Sequence, residues 1–207
     1  YQISADKGVA SAQNKLGECY KKGLGVDEDS FAAIGWFRKA ADQGYDEALY
    51  HLGVCYFEGY GVKHDYNQAF DLYKKASEKG FSASGKALGF AYANGNGVKQ
   101  DWKEAVKYFT QAAEKGDPVS QAWLGYCYCN EKGTPRNYRK AYDWYQKAAS
   151  QGNSTSQVGL GRMYLRGWAT TMDKEKAMYW FDLAAKQQNE EAKNEIARVK
   201  LEESMMM

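Results

Sequence analysis

Apolar residues recur along the chain with the spacing of amphipathic helices. Leu16, Gly17 and Tyr20 fall at positions i, i+1 and i+4, on one stripe of a first helix. A second stripe at i, i+3, i+4, i+7 and i+8 consists of Ala33, Trp36, Phe37, Ala40 and Ala41. The glycines of the intervening segment Gly23-Leu24-Gly25-Val26 can end the first helix in a left-handed conformation. The pattern predicts a helix–turn–helix unit.

This unit repeats every 36 residues without an insertion. The step aligns five Leu-Gly pairs, which are Leu16-Gly17, Leu52-Gly53, Leu88-Gly89, Leu124-Gly125 and Leu160-Gly161. It also aligns the residues equivalent to Tyr20, Ala33, Phe37 and Gly8 in the other repeats. Only the glycine series that begins at Gly8 is interrupted, by Gln188. Because one such hairpin cannot bury its apolar stripe alone, neighbouring units are expected to stack and share a core.

We therefore predict an all-α fold, an α-α superhelix (solenoid) of five 36-residue helix-turn-helix repeats with partial repeats at both ends. The predicted single domain, 1–207, comprises the end of a preceding repeat (1–8), repeats 9–44, 45–80, 81–116, 117–152 and 153–188, and a C-terminal capping helix (189–203). Tyr1 aligns with Phe37, inside a second helix. We therefore expect a fragment of a longer repeat protein, with any export signal before it.

The turns carry capping signals, and two of them depart from the pattern. An N-cap residue is expected at Asp29, Asp65, Asp101, Asn137 and Asp173. The fourth turn holds Glu131, Thr134 and Pro135, and the fifth holds Trp168, Ala169 and Thr170. We expect these two turns to differ in backbone shape from the others. The departures are either neutral loop variation or a contact point at the edge of the array.

Composition narrows the class of protein. The 207 residues include 28 Lys and Arg against 26 Asp and Glu, so a net charge of +2 argues against an electrostatic nucleic-acid binder. No apolar run approaches the ~18 residues of a membrane span, so no membrane insertion is expected. The chain holds few β-branched residues, with 3 Ile, 9 Val and 5 Thr, which disfavours a sheet.

The repeated residues resemble the Sel-1-like repeat family, which is related to the tetratricopeptide repeats. The family pattern appears in the second unit as Leu52-Gly53, Tyr56, Gly59-Tyr60-Gly61-Val62, Asp65, Ala69, Leu72-Tyr73, Lys75-Ala76-Ser77 and Gly80. The resemblance extends from about Ser4 to Gln188. It implies a stacked helical array that acts as an adaptor or scaffold for protein complexes.

Cysteine and histidine patterns indicate neither a catalytic nor a metal site. Some members of the family carry disulfides between units, and the positions of that staple hold small residues here. Equivalent positions of stacked helices lie ~8–10 Å apart, beyond the ~7 Å limit for a disulfide, so Cys19 and Cys55 are expected to be free. His51 and His64 lie in different elements without metal-ligand spacing. No cofactor is expected. Free cysteines favour a cytoplasmic location, whereas an export signal before Tyr1 would indicate the opposite. The localisation therefore stays open.

The candidate site is the concave groove that the first helices would line, by analogy with tetratricopeptide arrays. The predicted partner-binding residues are Tyr50, Phe57, Lys86, Phe90, Asn94, Tyr126, Asn130, Arg162 and Arg166. Aromatic anchors beside Arg and Asn suit a peptide-binding surface. Alternatively, tight curvature buries the aromatic rings between adjacent first helices.

We predict a non-catalytic scaffold that holds a segment of a protein partner in this groove. A first alternative is a repeat protein that binds or hydrolyses a small molecule such as a cell-wall fragment, although no convergent catalytic set is evident. A second alternative is a structural spacer within a longer protein.

Overall fold

The computed structural model describes residues 1–205, and all regular structure within that range is helical. The twelve helices of this range are α1 (Gln2–Asp6), α2 (Ala10–Lys22), α3 (Ser30–Asp42), α4 (Asp46–Glu58), α5 (Tyr66–Glu78), α6 (Ser82–Asn94), α7 (Trp102–Glu114), α8 (Pro118–Asn130), α9 (Tyr138–Ser150), α10 (Ser154–Arg166), α11 (Lys174–Lys186) and α12 (Glu190–Ser204). The predicted all-α repeat fold is confirmed. In the described range, no helix combines the length and the apolarity that crossing a bilayer requires.

The chain divides into two compact units, Tyr1–Asp101 (unit 1) and Trp102–Met207 (unit 2). In unit 1, α2 packs on α3 and α4 packs on α5, while α3 contacts α4 and α5 contacts α6. In unit 2, α8 packs on α9 and α10 packs on α11, while α9 contacts α10 and α11 contacts α12. The prediction of one continuous domain with end caps stays a prediction, and its last two residues, 206 and 207, lie outside the described range.

Four of the hairpins contain a glycine that faces an aromatic ring of the partner helix; the pairs are Gly17 and Phe37, Gly53 and Tyr73, Gly125 and Tyr145, and Gly161 and Phe181. A Cβ on Gly17 of α2 would lie 2.7 Å from Cδ1 of Phe37 on α3, and Phe37 is fully buried. Because real Cβ atoms do not approach other atoms so closely, this position of α2 requires glycine. The Leu-Gly pair therefore has two roles: the leucine fills the core, and the glycine lets the helices approach.

Side-chain caps begin the second helices. Asp29 accepts hydrogen bonds from the backbone N–H groups of Phe31 and Ala32, and Asp65 accepts from those of Asn67 and Gln68. Asn137 and Asp173 accept from the third residue of α9 and of α11. The predicted caps at these four positions are confirmed, and each satisfies backbone donors that lack a partner within the helix.

The fourth and fifth turns keep the backbone shape of the others, so the expectation that they differ is wrong. In the fourth turn, Glu131 has φ 54° where the others have a left-handed glycine. In the fifth, Ala169 has φ 61° at the position of Gly25. Two hydrogen bonds recur in all five turns, from Asp29 N–H to the Tyr20 carbonyl and from Leu24 N–H to the Cys19 carbonyl in the first. These bonds hold the backbone of Glu131 and of Ala169 in a left-handed conformation that L-residues rarely adopt.

A buried glutamine links the two ends of three repeats. Nε2 of Gln43 donates to Oε1 of Gln13 at 2.8 Å, and Nε2 of Gln13 donates to the Ala5 carbonyl oxygen at 3.1 Å. The same arrangement joins Gln151 to Gln121 and Gln187 to Gln157 in unit 2. The second repeat has Leu49 at the equivalent buried position. Each glutamine pair thus satisfies polar atoms at the join between hairpins.

Candidate partner-binding face

The first helices of each unit present the residues predicted to line the groove. In each unit we call the surface of these helices the first-helix face; it is formed by α2, α4 and α6 in unit 1, and by α8, α10 and α12 in unit 2. On α4, the ring of half-buried Tyr50 lies 5.2 Å from that of Phe81 and 5.7 Å from that of Tyr73. Phe57 is 39% exposed, and its ring lies 5.3 Å from that of Tyr66. Tyr50 therefore belongs to the packing of the unit, whereas Phe57 is a surface ring.

The three candidates on α6 also differ in exposure. Lys86 and Phe90 are half-buried, and both make interactions with other groups. Asn94, the last residue of α6, is exposed. Among these three residues, Asn94 is therefore the most accessible to a partner.

In unit 2, Tyr126 on α8 is the centre of an aromatic patch. It is 38% exposed, and its ring centroid lies 5.4 Å from that of Trp123 and 6.5 Å from that of Trp102. Nδ2 of the exposed Asn130 donates to the Tyr126 carbonyl oxygen at 2.9 Å. This part of the face offers rings and an amide to solvent, which a protein partner can contact.

The two arginines on α10 have different environments. Arg162 is bound within the unit: its Nη2 lies 2.7 Å from Oε1 of Glu191, and its Nε lies 2.7 Å from Oε1 of Glu195, both on α12. Arg166 is exposed, with its guanidinium carbon 4.7 Å from the ring centroid of Trp168. The guanidinium donors of Arg162 are therefore already bound to carboxylates of the same unit, and Arg166 is the accessible cation of the pair.

Glu195 is the buried carboxylate of this network. It is 8% exposed and also accepts hydrogen bonds from Arg198, one of them at 2.7 Å. Burial raises the pKa of Glu195, but the hydrogen bonds from Arg198 and Arg162 outweigh it and leave the pKa below its usual 4.5. The carboxylate is therefore charged at neutral pH and fixes the orientation of Arg162.

A recess opens on this face where Gly159 stands. The 36-residue step places Gly159 between Trp123 on α8 and Glu195 on α12. A cavity of about 480 Å³ lies here, lined by Val119, Ala122, Trp123, Tyr126, Tyr145, Asn153, Thr155, Gly159, Arg162 and Glu191. A second cavity of about 270 Å³ shares Tyr126, Tyr145, Gly159 and Arg162 with it and reaches Arg166. The missing side chain at position 159 leaves room for an apolar group from outside.

The interior of the recess is apolar and its rim is polar. Tyr145, buried on α9, lies against Gly159: a Cβ on that glycine would lie 2.9 Å from Cε2 of the ring. Burial raises the pKa of Tyr145, so its hydroxyl stays protonated. Thr155 and Arg162 stand where a bound segment can form hydrogen bonds. Such a recess fits a large apolar side chain better than a small charged molecule.

One cluster in unit 1 could offer ligands to a cation, and sequence reasoning missed it. Carboxylate oxygens of Glu18 and Glu47 and a ring nitrogen of His51 lie within 4.8 Å of one another. Nζ of Lys15 lies 2.9 Å from Glu18 and 3.7 Å from Glu47, so an ammonium group already pairs with both carboxylates. Burial lowers the pKa of His51, and the charge of Glu18 partly opposes this effect. The available signal was that Lys15 and His51 occupy the same repeat position.

Burial weakens three of the cysteines, Cys55, Cys127 and the half-buried Cys129, as nucleophiles. Burial raises the pKa of Cys55 to about 11, that of Cys127 to about 12 and that of Cys129 to about 11. Because the thiolate is the reactive form, these thiols are poor nucleophiles and poor metal ligands at neutral pH.

Comparison with known proteins identifies the repeats. The family model described as Sel1 repeat matches residues 10–45, 46–81, 87–117, 118–153 and 154–189. No curated protein sequence matches the chain.

Solved structures share this fold. A protective antigen of uropathogenic Escherichia coli strains, which displays an SLR fold, is 41% identical with a TM-score of 0.88 over 92% of this chain and 41% of that chain. The chain thus spans about two fifths of that antigen. A Sel1 repeat protein from Oxalobacter formigenes is 33% identical with a TM-score of 0.86 over 93% of this chain and 78% of that chain. The five matched repeats and these likenesses show that the chain belongs to the Sel1 repeat family.

Proposed function

We propose that this chain is a non-catalytic scaffold that binds a segment of a partner protein on its first-helix face. Sel1 repeat proteins are generally protein-interaction scaffolds. The proposal for this chain goes further, because it assigns the binding to particular side chains and requires neither a cofactor nor a catalytic step.

The recess at Gly159 is the observation that carries the proposal. It is an apolar cavity beside the exposed ring of Tyr126, with Arg162 held rigidly at its rim by two carboxylates. A large side chain inserted into such a pocket is the usual anchor of a protein interface. A rigid rim adds to affinity because little side-chain freedom is lost on binding.

The nine predicted residues take different parts in this proposal. Direct contact is assigned to the more exposed ones, which are Phe57, Asn94, Tyr126, Asn130 and Arg166. Support of the face is assigned to the half-buried ones, which are Tyr50, Lys86, Phe90 and Arg162. Substitutions in unit 1 and in unit 2 of the full chain therefore test the two parts of the face one at a time.

Site-specific photocrosslinking tests the proposal directly. A photoreactive phenylalanine derivative is placed at Phe57 or Tyr126 on the first-helix face. The matched controls are Phe31 and Tyr179, which lie on second helices and are 79% and 59% exposed. We expect crosslinks to a discrete partner from Phe57 or Tyr126 in native lysate and none from the more exposed controls.

Three results would contradict the proposal. Equal crosslinking from Phe31 and Tyr126 would mean that contact follows exposure rather than a binding face. No crosslink from any position, with the helicity intact, would favour the structural spacer. Turnover of a small molecule that is lost on the Tyr126→Ala substitution would favour the alternative of a hydrolase.

A further inference from the structure

The two turns that depart from the repeat pattern form one surface feature in unit 2. Tyr138 follows the fourth turn at the start of α9, and Trp168 lies in the fifth turn. Their rings are stacked, with centroids 4.7 Å apart and an angle of 13° between the planes. We call these rings and the charged residues of the same turns the paired-ring edge.

A guanidinium group lies over each ring of this pair. The guanidinium carbon of Arg166 is 4.7 Å from the centroid of Trp168, and that of Arg136 is 5.9 Å from the centroid of Tyr138. Stacking on the rings orients both guanidinium groups while their outer N–H donors remain accessible. The edge therefore presents the donors of Arg166 and those donors of Arg136 that do not face Glu131.

The charge of the paired-ring edge is positive. Arg136 has an ion pair with Glu131, in which Nη2 and Oε2 are 3.1 Å apart and the side chains are 48% and 57% exposed. Among the described residues, no carboxylate lies within ion-pair distance of Lys132, Lys140 or Arg166. Arg136, Lys132, Lys140 and Arg166 thus stand in and beside the two turns, whose carboxylates are Glu131 and Asp173, and Asp173 is paired with Lys176 at 2.9 Å. The edge is therefore positive, although the chain as a whole is nearly neutral.

Backbone strain occurs in the same two turns. Glu131 and Ala169 hold left-handed conformations at positions where the first three repeats have glycine. Residues in such conformations cost stability and cluster at functional sites. Glu131 is also the residue that restrains Arg136, so the strained position and the charged edge are physically connected.

We propose that the paired-ring edge binds an acidic segment of a partner protein, with carboxylates on Arg166 and Arg136. The N–H donors of a guanidinium group match a carboxylate in bidentate geometry. An acidic peptide fits better than single-stranded nucleic acid, because both rings are half-buried and stack on each other, which leaves little of either ring as a platform for a base. This inference rests on the proposed function and extends it, because Arg166 and Trp168 also line the smaller cavity at Gly159.

Binding of a synthetic peptide of alternating aspartate and glycine tests the inference. The control peptide has asparagine in place of aspartate, and binding is measured by calorimetry at low and at near-physiological salt. We expect the acidic peptide alone to bind, and we expect its affinity to fall as salt screens the charges. Arg166→Gln and Arg136→Gln are each expected to weaken binding by about five-fold or more, as the loss of a charge-assisted hydrogen bond would.

Two further variants separate a specific edge from general positive charge. Arg139→Gln removes the same charge nearby, but Arg139 pairs with Asp143 on the exposed face of α9, at 3.5 Å. We expect Arg139→Gln to leave the affinity unchanged. Glu131→Gln releases Arg136 from its internal partner, so we expect tighter binding, an effect of opposite sign.

The inference fails if Arg139→Gln weakens binding as much as Arg166→Gln, because net charge alone would then explain the affinity. It also fails if the acidic peptide does not bind. A third contrary result would be displacement of the peptide by a single-stranded oligonucleotide whose own binding is unaffected by Arg166→Gln and Arg136→Gln. Circular dichroism of each variant confirms that the helices are intact. A failure here would withdraw the contact assigned to Arg166 but not the first-helix face as a whole, which photocrosslinking at Phe57 and Tyr126 tests separately.

Discussion

Gly125 on α8 lies so close to Tyr145 on α9 that a Cβ at position 125 would lie 2.5 Å from the ring atoms Cδ1 and Cε1. Tyr145 is also in contact with Gly159 from the next repeat. One buried ring thus fills the space between two glycines of successive first helices. The glycines of the Leu-Gly pairs are therefore packing residues, and helix propensity alone would not have selected them.

Substitution of Gly125 by alanine is expected to destabilise the chain by about 1–3 kcal/mol, because the ring of Tyr145 cannot move out of a packed core. Gly35→Ala is the matched control. Gly35 lies inside α3 with nothing within 4 Å of its Cβ position, so the same change should stabilise by about 0.5–1 kcal/mol through helix propensity. Urea unfolding of both variants checks the prediction, and equal shifts would contradict the close approach.

Substitution of Glu131 by glycine is expected to stabilise the chain by about 0.5–1 kcal/mol. It relieves a left-handed conformation that costs roughly 1–2 kcal/mol for an L-residue, and it removes an exposed ion pair worth about 0–1 kcal/mol. Gly95→Ala is the reverse control, because Gly95 has φ +76° in the third turn, and we expect it to destabilise. A Glu131→Gly variant less stable than wild type would show that the turn is not strained.

Substitution of Glu195 by glutamine is expected to lower the unfolding free energy at pH 7 by about 1–3 kcal/mol, since charged hydrogen bonds to Arg162 and Arg198 are lost. The pKa of Glu195 in the folded chain lies below the usual 4.5. The unfolded chain therefore takes up the proton first, and the stabilisation is present above pH 4.5 and declines as pH falls towards the folded pKa. Unfolding measured between neutral and acidic pH should show a smaller decline in the variant.

The control for Glu195→Gln is Glu190→Gln. Glu190 pairs with Lys193 at 2.7 Å, but its side chain is 77% exposed, so the change should have little effect at any pH. If both variants lost the same stability, the burial of Glu195 would be irrelevant to its contribution.

Substitution of Gln151 by leucine is expected to destabilise the chain by about 1–3 kcal/mol, because Oε1 of the buried Gln121 loses its donor. The double variant Gln121→Leu, Gln151→Lys copies the residues of the second repeat, Leu49 and Lys79. We expect it to be more stable than the single variant, since the orphaned acceptor is removed together with its donor. Thermal unfolding compares the two, and the opposite order would contradict the role of the pair.

The 36-residue periodicity predicts the helices and their N-caps, because each of these features depends on residues within a single repeat. Asp29 and Asp65 cap their helices through N–H groups two and three residues away, so their role is visible in the local sequence. The backbone of the fourth turn could not be predicted in the same way. Hydrogen bonds to the end of α8 hold Glu131 in its conformation, and local preference alone argues against it.

The sequence predicted which helices carry the candidate residues, but not which of the candidate arginines are already paired with carboxylates. The step of 36 residues places Phe57 and Tyr126 on first helices, where both are exposed. It does not indicate that Arg162 is bound by Glu191 and Glu195, because these carboxylates come from the helix after the last repeat. Gly159 carried a usable signal, since glycine replaces the larger Trp123 and Glu195 of the neighbouring units.

The position of the glutamine pairs within each repeat affects how such a chain can gain or lose whole repeats. Gln13 and Gln43 belong to the same 36-residue unit, and the bond that crosses to the preceding helix ends on the main-chain carbonyl of Ala5. A main-chain acceptor is supplied by any amino acid. Duplication or loss of one whole 36-residue repeat would therefore leave this junction intact. A duplication or loss whose boundaries fell between the two glutamines would separate them. The gene can gain or lose units without a compensating substitution at that junction.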